Sequence, residues 1–243
     1  MLEFATITPS PLFPSSATSR SRAGITVSGI AFTDSNAGAG TDGGVALIEN
    51  SDDVAFVSCA FRNASAGRDD GAIAASNSDR VTIADSVATD VSAAAGRGGF
   101  AITNAGLEMI NTNVTGAVAS LGGAVFLSGG DSAVSDSALL NCTAGFGGCI
   151  YVDAQDSDTV DIAGVTIDGA SAGLSGGGLF VDAGYLRMLV GRRVVVRHLW
   201  GVYPRPGLYY WYDNTTLPSP PLLHPTHPIQ ELDRLCHRCQ HHN

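Results

Sequence analysis

Two adjacent carboxylate pairs, Asp52-Asp53 and Asp69-Asp70, have the most direct claim on chemistry in this sequence. Glycoside hydrolysis works with two carboxylates at a defined separation, one donating a proton and the other attacking or activating water. Lyase chemistry needs a general base, with a cation or arginine for an acidic substrate. Between Ala23 and Gly184, however, the chain carries neither histidine nor lysine, and no NTD, GHG or RxK phrase. Both pairs fall at expected turns, where aspartate closes the chain by bonding its own backbone. The expectation is a protein without catalytic residues and without a cofactor.

Metal chemistry fares no better. The segments "ENSDD", "SNSDR" and "DAQDSD" hold oxygen donors, and calcium takes roughly six to eight oxygens. The glycine-aspartate nonapeptide of calcium-binding rolls is missing, so these read as solvated loops. "CHRCQHH" at Cys236 to His242 is half of a zinc pattern and lacks a second half. Of the five cysteines, Cys59 reads as a buried small hydrophobe, while Cys142 and Cys149 flank "TAGFGG" as either a bridge or two thiols. Asn63, Asn113 and Asn141 head N-x-S/T sequons, each read as lying just after the second strand of its unit. In a secreted chain they become glycosylation sites.

Charge is distributed unevenly. Of the 23 acids, 19 lie between Ala23 and Gly184 against four arginines, and the net charge is -10. Such a surface repels nucleic acid. No run of about twenty apolar residues could form a transmembrane helix. All six histidines, both tryptophans and seven arginines lie after Gly184. The reading is a disordered lead-in over 1–22, a repeat domain over 23–184 and an irregular Pro/Arg/His-rich tail over 185–243, the whole resembling a fragment of a longer array.

The elements that must position any site are written repeatedly. Aligned on a glycine, "GGVALI", "DGAIAA", "GGFAIT", "GGAVFL", "GGCIYV" and "GGGLFV" recur at steps of 27, 28, 24, 25 and 29 residues. A companion phrase keeps phase, starting at Ile25, Val54, Val81, Leu107, Ser132 and Val160. Its apolar or small residues fall at offsets 0, 2, 5 and 7, which is strand alternation broken by a bend. A third strand follows each glycine pair. Three strands per unit, with no helical period and no proline between Pro14 and Pro204, predict an all-β fold. It is a right-handed parallel β-helix of about six coils, in which identical columns stack.

The phrases "DGAI", "GGAV", "GGCI" and "GGGL" resemble the GGA(I/L/V) repeats of polymorphic outer-membrane proteins, and more broadly the pectate-lyase-like β-helix proteins. That resemblance covers about Ile25 to Ala183. It implies an extracellular or surface-displayed, adhesin-like role without a cofactor, with a glycan or surface protein as partner. One residue off the expected inward columns of the third strand stand Leu47, Ala74, Ile102, Phe126, Tyr151 and Phe180. These are expected to form an outward apolar stripe for binding such a partner. The alternative expectation is a polysaccharide lyase or glycoside hydrolase with its site in acidic turns or in coils beyond this chain.

Overall fold

The computed structural model describes residues 24–38, 42–67, 70–93, 96–153, 158–183, 185–188, 194–197 and 200–201. Asp69, the further sequon at Asn214 and Cys236 to His242 lie outside them, as do residues 1–22. The described residues are all-β, and every strand pairing among them is parallel, stacked as a β-solenoid of about six turns.

The first ladder stacks Ile25–Ser28, Asp53–Val57, Arg80–Ala84, Gly106–Ile110, Ser132–Ser135, Thr159–Ala163 and Tyr185–Met188. The second stacks Ala31–Thr33, Ala60–Arg62, Val87–Thr89, Asn113–Thr115, Ala138–Leu140, Thr166–Asp168 and Val195–Arg197. The third stacks Ala46–Glu49, Ile73–Ser76, Phe100–Thr103, Val125–Ser128, Ile150–Asp153 and Leu179–Ala183. A short fourth ladder, unforeseen in the sequence, lies between the second and third. It holds Ser65–Ala66 with Ser92–Ala93, and Thr143–Phe146 with Ser171–Ser175 and Trp200–Gly201. Parallel pairing therefore continues beyond Gly184, at which the repeat domain was expected to end.

Each coil turns its corners with residues in left-handed backbone conformation. Between the first and second ladders these are Ser58, Asp85, Asn111 and Asp136, with Gly29 and Gly164. After the second ladder they are Asp34, Asn63, Asp90 and Asn141, with Gly116 and Gly169. After the third they are Asn50, Asn77 and Asn104, with Gly129. Asparagine and aspartate tolerate this region because their short polar side chains bond locally. Here they also bond each other along the stack. Asn111 Nδ2 donates to Asp85 Oδ1 at 2.7 Å, Asn63 Nδ2 to Asp34 Oδ1 at 2.7 Å, and Asn104 Nδ2 to Asn77 Oδ1 at 3.2 Å.

Inside the first corner a hydroxyl column replaces apolar side chains. Ser86, Thr112 and Ser137 are buried, and each hydroxyl serves two coils. Ser137 Oγ accepts from the Thr112 N–H at 3.0 Å and donates to the Ser135 carbonyl at 2.7 Å. Ser86 Oγ does the same for Cys59 N–H and the Ala84 carbonyl. Thr112 Oγ1 instead meets the carbonyls of Ile83 and Ile110 at 3.2 and 2.9 Å. The bend interrupts ladder pairing, and the Ser86 and Ser137 hydroxyls satisfy backbone N–H groups that it orphans.

The glycine corner is steric. Gly122 has φ of 56°, and a Cβ there would strike the Val125 carbonyl; a Cβ on Gly148 would strike the carbonyls of Gly177 and Ser171 in the next coil. The core inside is continuous from Ile48 to Val181 and includes Val54, Val81, Leu107, Val160, Phe56, Ile83, Met109, Val134 and Ile162, as the column reading expects. Phe61, fully buried, packs among Phe32, Phe56 and Phe100 with centroid separations of 5.5, 5.8 and 5.6 Å.

One coil departs from the expected register. Phe100 pairs with Ile73 and Val125, and Ile102 with Ala75 and Leu127. Ile102 therefore points into the core, fully buried, and Ala101 takes the outward place expected for it. The corner in this coil, like that of the coil before it, where Gly71 and Ala72 separate Asp70 from Ile73, is one residue shorter than the corner that follows. Only two residues, Gly98 and Gly99, separate Arg97 from Phe100, whereas three separate Leu121 from Val125. Gly99 thus fills the slot of Ala124, and an alignment on glycines slips by one.

Replacing Ser137 by valine should destabilise the chain by about 1–3 kcal/mol, because the Thr112 N–H stays buried without an acceptor. Ser137→Thr should recover most of that loss, because it keeps the hydroxyl and Thr112 already shows that a threonine fits the same column. Denaturant titration of both variants checks this.

Candidate functional site

The outer face of the third ladder carries the predicted stripe. By register its members are Leu47, Ala74, Ala101, Phe126, Tyr151 and Phe180. Parallel in-register pairing forces aromatic side chains from consecutive coils into a stack. The Phe126 and Tyr151 rings lie 5.4 Å apart at 9°, and those of Tyr151 and Phe180 lie 5.4 Å apart at 21°. Together with Ala101 these rings form a cluster separate from the interior core.

A second column flanks it. Arg97, Leu121 and Phe146 precede the glycine corners and bridge one to the next. Leu121 and Phe146 pack against the stack, Phe146 at 5.5 Å from the Phe180 ring. The Arg97 guanidinium sits 5.1 Å over the Phe126 ring and donates to Thr103 Oγ1 at 3.1 Å, a cation held on the negative face of the ring.

The consequence is closure of the ring faces. Phe126, Tyr151 and Phe180 are only 5%, 8% and 7% exposed. Stacking of a sugar on an open aromatic face, which the stripe suggested, has no free face to use. What this side of the ladder offers instead is the next outward column, two residues along each strand: Glu49, Ser76, Thr103, Ser128 and Asp153. The first four are partly exposed and Asp153 is exposed, as is Asp182 in the next coil. They form a row of hydroxyls and carboxylates at ladder pitch, about 4.8 Å per coil.

The acidic end of this row is electrostatically coupled to the stack. Tyr151 Oη donates to Asp182 Oδ2 at 3.0 Å. Burial, and then this bond to a carboxylate, push the phenol well above the usual tyrosine range. Asp153, although exposed as a residue, is raised by partial desolvation of its carboxylate and then by repulsion from Asp182. Two carboxylates thus neighbour one phenol, and the repulsion between them favours the protonated form of Asp153.

The other expected residues are placed as follows. Asp53 opens a strand and pairs with Arg80 at 3.3 Å on the exposed face of the first ladder, so it is a surface ion pair worth little. Asp70 is buried at the glycine corner. Among the described residues no three His, Cys, Asp or Glu side chains converge as metal ligands. Asn63 and Asn141 are exposed at the corner after the second ladder. Asn113 is also exposed, but it opens its strand rather than following it. Cys142 and Cys149, the two cysteines flanking "TAGFGG", are both buried and are not bonded to each other in this structure. Sequence reasoning missed the Glu49-to-Asp153 column, although strand alternation counted outward from Leu47 and Phe126 would have found it.

Compared with protein-family models, curated proteins and solved structures, the chain matches none.

Because its carboxylate lies above the ordinary range, ionised Asp153 opposes folding at neutral pH, and this opposition fades as pH falls through the raised value. Asp153→Asn should therefore raise the unfolding midpoint at pH 7. The gap from the parent chain should close as pH drops into the carboxylate range. Denaturation of both chains across pH measures it, and an Asn variant less stable at pH 7 would contradict the coupling.

Proposed function

We propose that this chain is a non-catalytic recognition module, secreted or displayed on a cell surface, that binds a glycan or a protein along the outer face of its third ladder. The observation that carries this reading is the outward row Glu49, Ser76, Thr103, Ser128 and Asp153, running beside a packed aromatic stack. A stacked column repeats one contact per coil on a rigid base, so weak contacts add along the ladder. Hydroxyls and carboxylates in this register suit the hydroxyl groups of an extended glycan or the backbone of an extended peptide. The stack acts beneath them as a brace. It fixes the strand positions, Arg97 holds Thr103 of the row, and Tyr151 holds Asp182, which lies at the bulge beside Asp153. The likeness of the "GGAV" and "GGCI" phrases to polymorphic outer-membrane-protein repeats supports adhesin-like display outside the cell.

A second reading draws on one specific observation. Asp182 lies close enough to Asp153 to raise its carboxylate, and carbohydrate-active enzymes work with paired carboxylates. On this alternative the chain is a hydrolase or lyase of the pectate-lyase-like kind, with Asp153 and Asp182 in the reacting position.

One screen separates the two. The full chain is titrated with polyuronates and neutral glycans while binding and product release are both followed. Recognition predicts saturable binding without product. A Thr103→Val, Ser128→Ala, Asp153→Asn chain should then bind at least roughly tenfold more weakly, at about 1 kcal/mol for each lost hydrogen bond. Product release that disappears in Asp153→Asn and Asp182→Asn would instead establish the enzyme. A chain that neither binds nor turns over any of them would remove the glycan form of the proposal.

A further inference from the structure

Cys142 and Cys149 belong to the corner of the fifth coil, counting from the unit that starts at Ile25. The chain leaves the core at Cys142, runs outward along Thr143–Phe146, turns through Gly147 and Gly148, and re-enters at Cys149 ahead of Ile150–Asp153. Both cysteines are free thiols with no exposed surface. They lie outside the ladder-face site, and neither proposed function uses them.

Register fixes the column to which each belongs. Val118 bridges Ser92 on one side and Thr143 on the other. The preceding residues Val91, Ala117 and Cys142 are therefore equivalent, and all three are fully buried. On the opposite side of the corner, Phe100, Val125 and Ile150 pair in turn. The residues preceding them, Gly99, Ala124 and Cys149, are likewise equivalent.

The spacing between these two columns can be read in the third coil. A Cβ built on Gly99 lies 3.5 Å from the Cβ of Val91. A disulfide requires Cβ atoms about 3.5–4.5 Å apart. The repeat places Cys142 and Cys149 in the positions of Val91 and Gly99 two coils later. Their sulfurs also settle on one stretch of backbone. Cys142 Sγ lies 3.6 Å from the Leu140 carbonyl oxygen, and Cys149 Sγ lies 3.7 Å from that of Leu139. Burial and then the contact with Cys142 raise the Cys149 thiol above its usual range, which places the two sulfurs side by side.

The geometry points to Cys142 and Cys149 as a disulfide-forming pair, a redox modification site that closes the corner of the fifth coil when the chain meets a disulfide oxidant. The oxidant is a small-molecule disulfide or a disulfide-bearing oxidoreductase. One cysteine, as thiolate, attacks a sulfur of the oxidant and releases one oxidant thiol. The second cysteine then attacks the mixed disulfide at the protein sulfur and releases the other oxidant thiol. The pair gives up two electrons and two protons, and the oxidant disulfide becomes two thiols. Because both sulfurs are buried, exchange takes place while the corner is open, during folding or local opening.

The test uses the full chain, unfolded and then refolded in a buffer of oxidised and reduced glutathione. Remaining thiols are alkylated under denaturing conditions, the chain is cleaved after Phe146, and the peptides are mapped without reduction. The expected product is one pair of peptides joined through Cys142 and Cys149, two hydrogen masses lighter than the separate thiol peptides, with Cys59 alkylated. The oxidised chain should also unfold at a higher denaturant concentration than the reduced chain, and this shift should vanish in Cys149→Ala. Recovery of both cysteines in alkylated form, or of either linked to Cys59, Cys236 or Cys239, would overturn the assignment.

Discussion

Every coil of this protein has to turn its corners without losing register with the coils above and below. A parallel solenoid draws its backbone partners from neighbouring coils, so a slip at one corner would shift whole columns between the core and the surface. The chain meets this constraint with three devices. Asparagine and aspartate in left-handed conformation reverse the chain and bond their equivalents, as Asn111 does with Asp85. Buried hydroxyls such as Ser137 supply acceptors where the ladder is interrupted. Glycines such as Gly148 stand where a side chain would meet the backbone of the next coil. The apolar columns can stack inside only because these corners hold.

The same constraint shapes the outer face. Once strands are in register, equivalent outward residues must stack, whatever their chemistry. For Phe126, Tyr151 and Phe180 this produces a closed pile of rings, flanked by Phe146 and Leu121 and reached by Arg97. A stripe of aromatic residues in sequence is therefore a brace in three dimensions rather than an open platform. Recognition, in the reading favoured here, moves one column outward to Ser76, Thr103, Ser128 and Asp153.

The fold was legible in the sequence because small apolar residues at fixed offsets, repeated in phase with glycine corners, leave few alternatives to stacked coils. The inward columns starting at Val54 and Phe56 were readable for the same reason. The third coil was misread because Gly98 and Gly99 look like the glycine pairs elsewhere, although Gly99 occupies an alanine slot; only pairing distinguishes the two. The fourth ladder was invisible because its strands, such as Ser65–Ala66, are too short to show alternation. The closing of the ring faces was equally hidden, since it depends on distances between residues about 30 positions apart in sequence, such as Tyr151 and Phe180. Ser86, Thr112 and Ser137 fall at inward offsets of the repeat, but their role follows only from the backbone groups of neighbouring coils that they meet.

Stacking itself is most directly tested by distances along one column. Spin labels on the second ladder, at Ala31 paired in turn with Ala138 and Thr166, occupy positions separated by four and five coils of in-register pairing. Pulsed dipolar spectroscopy should report separations near 19 and 24 Å, a step of about 4.8 Å per coil. Equal separations, or a longer distance for the nearer pair, would contradict the parallel stack.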